Sequence, residues 1–354
     1  MNIKGVLFVE IYVGMAKMVA WWHQMALGFQ IKGIKEYQGE YGKQISYWLN
    51  QGDANLLITS AMDPAAHDVV SFVDRHGNSI KRFGLEVDSI EETKQMLLSK
   101  KAILHSTVKE EKFNKEYSAC INIKLFDDNE ISFVERSHCE APLAGFKMTS
   151  SENKNPYIKR IDHLASVVRI NEADFWNKYL CELLNLNIIQ TIGEEFFANM
   201  LSGMKMFVME SNHGAFNKVI VEPLPDKVKE SQVDVFLNKH LGNGIQHLAF
   251  EVDNLFETVE TLQSKGVSFT KIPEKYYDIL EKEAPELPID LLRKANVLCE
   301  KNGDKILLQV FTEPIGDRPT LFYEFIQRVN NYEGFGAKNV KQLFKSLEHH
   351  LNND

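Results

Sequence analysis

Three shortages narrow what this chain can be. Its four cysteines (Cys120, Cys139, Cys181, Cys299) are scattered and form no CxxC pair. Neither a disulfide framework nor a thiolate zinc site is expected, and the pattern fits a reducing compartment. Positive charge is in deficit: Lys+Arg number 40 against 49 Asp+Glu, a formal net charge of −9. Nucleic acid and anionic membranes demand concentrated positive charge, so neither is an expected partner. A small anion held by one local cation or a metal is still allowed. No stretch reaches the roughly 18 uninterrupted apolar residues of a membrane span. The opening MNIKGVLFVEIYVGMAK lacks a long apolar core followed by a small-residue cleavage site, so it reads as a first strand. A cytoplasmic location is expected.

What is present is the composition of a globular protein, 44% hydrophobic and 25% charged over 354 residues, long enough for two domains. The chain also repeats itself. Residues 83–102, FGLEVDSIEETKQMLLSKKA, align without a gap on residues 248–267, LAFEVDNLFETVETLQSKGV. Each copy is a short alternating strand, an Asp that can cap, and an amphipathic helix. Residues 5–33 and 159–189 share the same strand-then-helix shape, and turn-punctuated β-like runs follow each, as at 45–60 and 204–223. The expected architecture is α+β: four βαβββ-like modules, two per half, with 1–150 and 157–354 as domains. The polar stretch MTSSENKNP at 148–156 reads as the linker.

Duplicated halves are informative where they differ. The second half has His247 in GIQHLAFEVD where the first has Arg82 in SIKRFGLEVD. His163 lies in RIDHLASVV, and the corresponding opening strand of the first half, LFVEIYV, offers Glu10. Near the end, KILLQVFTEPIGDRPTLFYEFIQR reads as two strands joined by a turn at Gly316, Asp317 and Pro319, with Glu324 among aromatics in the second. An ionised carboxylate on an apolar strand needs a cation, a proton or a metal. The first half has Glu135 in ISFVER, but beside Glu10 and Arg82 an ion-pair cluster is expected there rather than a metal. Two imidazoles and one carboxylate on one face of a metal form a facial triad suited to Fe(II), with open positions for substrate and O₂. Each residue also has an ordinary reading as a satisfied core side chain, and spacing this long does not choose between the two.

At these residues the chain resembles the 4-hydroxyphenylpyruvate dioxygenase family, of the vicinal-oxygen-chelate fold shared with extradiol dioxygenases and glyoxalase. The resemblance runs over nearly the whole chain. It is carried by IDHLASVV, GIQHLAFEVDNLFETVETLQSKGVSF, YYDIL, LLQVFTEPIGDRPTLFYEFIQR and GFGAKNVKQLF. It implies His163, His247 and Glu324 as ligands of Fe(II), with a first half that has no metal site. The implied substrate is an aryl 2-oxo acid that chelates the iron through its carboxylate and ketone. O₂ is the co-substrate, and no organic cofactor is needed. The family's pattern places Gln232, Gln309, Phe311 and Phe322 around the site, and makes the helix after Gly334-Phe335-Gly336, with Val340 and Phe344, its lid. Homo-oligomerisation is compatible with this.

Three positions depart from the homogentisate-forming pattern. Val221 stands in VIVEP where that pattern has Asn, Met206 where it has Ser, and Val340 in KNV where it has Phe. Two polar groups that could orient a phenol become hydrocarbon, and an aromatic wall becomes aliphatic. A hydroxyl-binding site discriminates strongly and an apolar one weakly. Aliphatic residues at 221 and 340 resemble the hydroxymandelate synthase branch, which hydroxylates the benzylic carbon, so that outcome is favoured over homogentisate. Two rival classes stay open. A ring-cleaving extradiol enzyme would need an acid–base residue such as His213 or His240, both expected to be solvated. The other rival is a non-catalytic binding protein of the same fold.

Overall fold

The computed structural model describes residues 3–38, 42–149, 156–198, 200–225 and 227–340, with the side chain of His213 excepted. The first half runs β1 (Ile3–Tyr12), α1 (Ala16–Leu27), β2 (Gln30–Gln38), β3 (Lys43–Gln51), β4 (Ala54–Ala61), α2 (His67–His76), β5 (Ser79–Val87), α3 (Ile90–Ser99), β6 (Lys109–Phe113), β7 (Glu116–Lys124), β8 (Glu130–Ser137) and β9 (Lys147–Met148). The second runs β10 (Ile158–Val167), α4 (Ala173–Leu184), β11 (Leu186–Ile192), β12 (Met204–Ser211), β13 (Asn217–Pro223), α5 (Gln232–His240), β14 (Gly244–Val252), α6 (Leu255–Ser264), α7 (Glu274–Glu283), α8 (Ile289–Ala295), β15 (Leu298–Asn302), β16 (Lys305–Phe311) and β17 (Phe322–Val329).

Each half folds into one mixed, curled sheet. The orders are β6-β7-β8-β5-β1-β4-β3-β2-β9 and β11-β12-β13-β10-β14-β17-β16-β15. The βαβββ modules recur four times, as expected. Between the two modules of each half lies a helix that strand–helix patterning did not reveal, α2 and α5. The caps sit one residue later than expected. Ser89 accepts from the Glu92 amide and Asn254 from the Glu257 amide, rather than Asp88 and Asp253. The run 275–294, expected to be an excursion with solvated charges, forms α7 and α8, whose Tyr276, Tyr277, Leu280 and Leu292 are buried.

Strand alternation gives each sheet two different faces. One face of each enters a core shared by both halves, where Phe83 stacks on Phe216 at 5.5 Å and Phe29 meets Phe250 at 5.6 Å. On the other face of the second sheet, Ala165, Val167, Met206, Val208, Val219 and Val221 meet Phe236 of α5 and Phe335. No described helix is long and apolar enough to cross a membrane.

Candidate metal centre and active site

The triad is assembled by register. In the central strands His163 of β10 lies opposite Ala249 of β14, which lies opposite Glu324 of β17. These three positions form one row across the sheet, with side chains on one face. His247, two residues from Ala249, shares that face. The small Ala249 side chain keeps the middle of the row open. His163 Nε2 lies 3.2 Å from Glu324 Oε2, and His247 Nε2 lies 3.5 Å from the same oxygen. One donor atom from each residue falls within 4.8 Å of the other two.

The other side of each candidate ligand is managed separately. A β-bulge between Ile161 and His163 leaves Asp162 unpaired, which turns its carboxylate back toward its neighbour. His163 Nδ1–H donates to Asp162 at 2.8 Å, so the Nε2 lone pair faces the shared point. Arg328 grips the same carboxylate with two bonds of 2.7 and 2.9 Å. Glu324 Oε1 accepts from Gln309 at 2.8 Å, leaving Oε2 for the shared point. His247 stacks on Phe322 at 4.8 Å, and its buried Nδ1 has no hydrogen-bond partner among the described residues. Burial favours the uncharged acid, but His163 and His247 outweigh it and hold Glu324 at about 2. Burial lowers His163, yet Glu324 and Asp162 lift it to about 9. Burial leaves His247 lowered. Without a metal the centre is thus an ionised carboxylate between a protonated His163 and a neutral His247, and a metal cation would take the place of the His163 Nε2 proton. Two ring nitrogens and one carboxylate oxygen, two of them aimed by hydrogen-bonded partners and the third by stacking on Phe322, fit a divalent first-row metal with open positions.

The triad lies on the wall of a cavity of about 350 Å³. Gln232, Gln309, Phe311, Phe322, Phe335, Val340, Val221 and Met206 all line it. Phe344 lies outside the described residues, as does most of the linker stretch. Met206 and Val221 are direct register partners, so the two hydrocarbon substitutions form one patch. Phe335, Asn339 and Val340 also line the cavity, and two chains of bonds hold their segment, residues 332–340, in place. Arg328 reaches the carbonyls of Tyr332 and Gly334 and stacks on Phe335, which itself packs on His163. Asn339 donates to Gln309 at 2.8 Å and accepts from Tyr276 at 2.9 Å.

Asp162, Arg328 and Asn339 were not singled out from the sequence. Asp162 sits beside a candidate ligand, where strict alternation would send it to the opposite face; only the bulge brings it in. His240, expected to be solvated, is buried and stacked on His76 at 4.2 Å, because α5 packs against α2.

The same registers correct the comparison of halves. Phe8, not Glu10, lies opposite Gly84, and Ser132, not Glu135, lies on the other side of Gly84. The first-half counterparts of His163, Ala249 and Glu324 are therefore Phe8, Gly84 and Ser132. A Cβ on Gly84 would sit 2.3 Å from the Phe8 ring, so glycine lets that ring fill the place of a metal ligand. The expected ion pair is present, with Arg82 donating to Glu10. Glu135 instead accepts from the Ile90 amide at the start of α3.

Residues 160–279 match the model of the Glyoxalase/Bleomycin resistance protein/Dioxygenase superfamily. A 4-hydroxyphenylpyruvate dioxygenase of Yarrowia lipolytica is 30% identical over 98% of this chain and 91% of its own length. This chain belongs to the 4-hydroxyphenylpyruvate dioxygenase family. A second family member, from Neurospora crassa, is 27% identical over 98% of the chain and 91% of its own length. Among solved structures, a mutant of 4-hydroxymandelate synthase from Streptomyces coelicolor superposes with a TM-score of 0.85 at 26% identity, covering 99% of this chain and all of that one. The family consists of non-haem iron dioxygenases of the vicinal-oxygen-chelate fold, and the tandem curled sheets are that fold.

Proposed function

We propose that this family member binds Fe(II) through His163 Nε2, His247 Nε2 and Glu324 Oε2, and hydroxylates an aryl 2-oxo acid at its benzylic carbon. The observation that carries the metal assignment is the convergence of three donors whose remaining faces are occupied or stacked. Bound ferrous iron supplies O₂ activation, with the 2-oxo acid giving two electrons and losing CO₂.

The chain's own residues do the rest. Asp162 fixes the proton of His163 on Nδ1, and Gln309 holds one oxygen of Glu324, so the three donors are positioned before substrate arrives. Phe311, Phe322 and Phe335 give the ring an apolar seat, and the segment 332–340 excludes water. Gln232, the first residue of α5, supplies a polar amide to the cavity. In the same cavity the Met206–Val221 patch offers no side-chain hydrogen bond. A ring not tethered by its hydroxyl sits differently, which places the benzylic carbon toward the metal. The first half is read as structural with respect to this reaction.

Incubation with 4-hydroxyphenylpyruvate, Fe(II) and O₂ tests the outcome: 4-hydroxymandelate is expected, and homogentisate as sole product would overturn the benzylic reading. Anaerobic titration separately tests the metal. One Fe(II) per chain is expected, lost in His247→Ala; full affinity in that variant would remove His247 from the ligand set.

A further inference from the structure

The duplication copied the cavity as well as the sheet. Registers through β1, β3, β4 and β5 match Arg82 to His247, Glu10 to Ala165, Thr59 to Val221 and Ser46 to Met206. Hydrocarbon in the second half is thus polar in the first. Of these positions Arg82 lines a separate cavity of about 730 Å³, together with Tyr12, Tyr37, Phe72 and Lys109 and the carboxylates of Asp68, Asp128 and Glu130, which already face Gln44, Arg75 and Lys81. It uses β5 and α2, the counterparts of β14 and α5.

A buried ion pair that merely plugged a vacated site would engage all its donors within the protein and leave none facing a cavity. This one does not. Ser46, Thr59 and Glu10 form a chain of bonds of 2.5 and 2.6 Å that ends on Arg82 Nε. That arrangement fixes the guanidinium by one edge. Its two terminal nitrogens have no hydrogen-bond partner among the described residues, nor do the hydroxyls of Tyr12 and Tyr37. Two nearby cations are already engaged, Lys81 with Glu130 at 2.8 Å and Arg75 with Asp128 at 3.1 Å. A planar fork of N–H groups, held from behind and open in front, matches a carboxylate. The aromatic faces of Tyr12 and Phe72 beside it suit an apolar body.

We infer that the first-half cavity is a second ligand site, taking a small aryl carboxylate on Arg82 with its ring against Tyr12, Tyr37 and Phe72. It needs no metal and takes no part in turnover at the iron. A plain carboxylate and an amino acid present the same group to Arg82, and the experiment separates them.

The iron-loaded full chain, kept anaerobic, is titrated calorimetrically with phenylacetate, L-phenylalanine and 2-phenylethylamine. A saturable component is expected for one or both carboxylates and none for the amine. Tighter binding of phenylalanine would identify a zwitterion ligand, and equal or tighter binding of phenylacetate a simple carboxylate. The paired variant Glu10→Gln/Arg82→Gln removes both buried charges together, and should weaken that component at least about tenfold while leaving the second-half cavity intact. Tyr37→Phe, which leaves the ion pair in place, should weaken it about threefold and decides the matter if the paired variant does not fold. No saturable heat up to about 10 mM carboxylate, binding of the amine, or affinity unchanged by these substitutions would overturn the site.

Discussion

Asp162 shows how much a single residue outside the ligand set can control. Its carboxylate is buried and held well below the usual range. Burial opposes ionisation, but Arg328 and His163 override it. It faces a bidentate guanidinium on one side and the imidazole of the candidate ligand His163 on the other. Asp162→Asn preserves volume but leaves Arg328 without its counter-charge and no longer dictates which nitrogen of His163 carries the proton. Outer partners of ligating histidines are worth about 10–100-fold in metal affinity. Anaerobic Fe(II) titration of Asp162→Asn is therefore expected to show a loss of that size with the fold retained. Affinity equal to the parent would show that Asp162 serves only to anchor Arg328.

At the scale of elements, the segment 332–340 is positioned by contact rather than by intrinsic preference. Gly336 has φ +72°, and a Cβ there would sit 2.2 Å from Gln309 Oε1. Gln309 cannot swing away freely, because it is bonded to Glu324 on one side and Asn339 on the other. Gly266 provides the control: φ is +83° with nothing near its absent Cβ. Both Ala variants carry the left-handed backbone penalty, roughly 1 kcal/mol. Gly336→Ala alone also disturbs the triad's support, so it should lower kcat/KM about tenfold or more. Gly266→Ala should lower only stability. Equal kinetics for the two would mean the Gln309 contact has no catalytic consequence.

This is also the scale at which the sequence was most and least legible. Repeating strands and amphipathic helices are local patterns, so the four modules could be read from 83–102 and 248–267 together with 5–33 and 159–189. His163, His247 and Glu324 stood out because polar side chains on apolar strands are anomalous. Registers are not local, and they escaped. Pairing Glu10 with His163 was off by two positions because each opening strand carries bulges that spacing does not reveal. The same bulge hid Asp162, and helix packing across the halves hid the burial of His240.

For the whole molecule, the two halves are joined at points near both cavities. Arg318, in the turn between β16 and β17, donates to the carbonyls of Asp74 and Lys239 and so ties that turn to α2 and α5. His23 of α1 crosses the shared core to Tyr323 of β17, the neighbour of Glu324. Its Nδ1–H donates to the Val19 carbonyl at 2.7 Å, and its Nε2 accepts from the Tyr323 hydroxyl at 2.6 Å. The bond that Nε2 accepts requires a neutral ring, and burial lowers His23 to about 4, with the Val19 carbonyl opposing it. The unfolded chain has an ordinary histidine near 6.5. Between these values the unfolded chain binds a proton that the folded one refuses. The stability contributed by neutral His23 is therefore complete above about pH 6.5 and is lost as pH falls toward 4. At about 1.4 kcal/mol per pH unit, the loss at pH 5 relative to pH 7 is about 2 kcal/mol from this residue alone. His23→Gln keeps a donor and an acceptor but does not titrate. Urea unfolding at both pH values, with parent and variant loaded identically with metal, should show the parent losing about 2 kcal/mol more than the variant on acidification. Parallel losses in the two would mean that His23 is protonated in the fold, and that the bond to Tyr323 runs in the opposite sense.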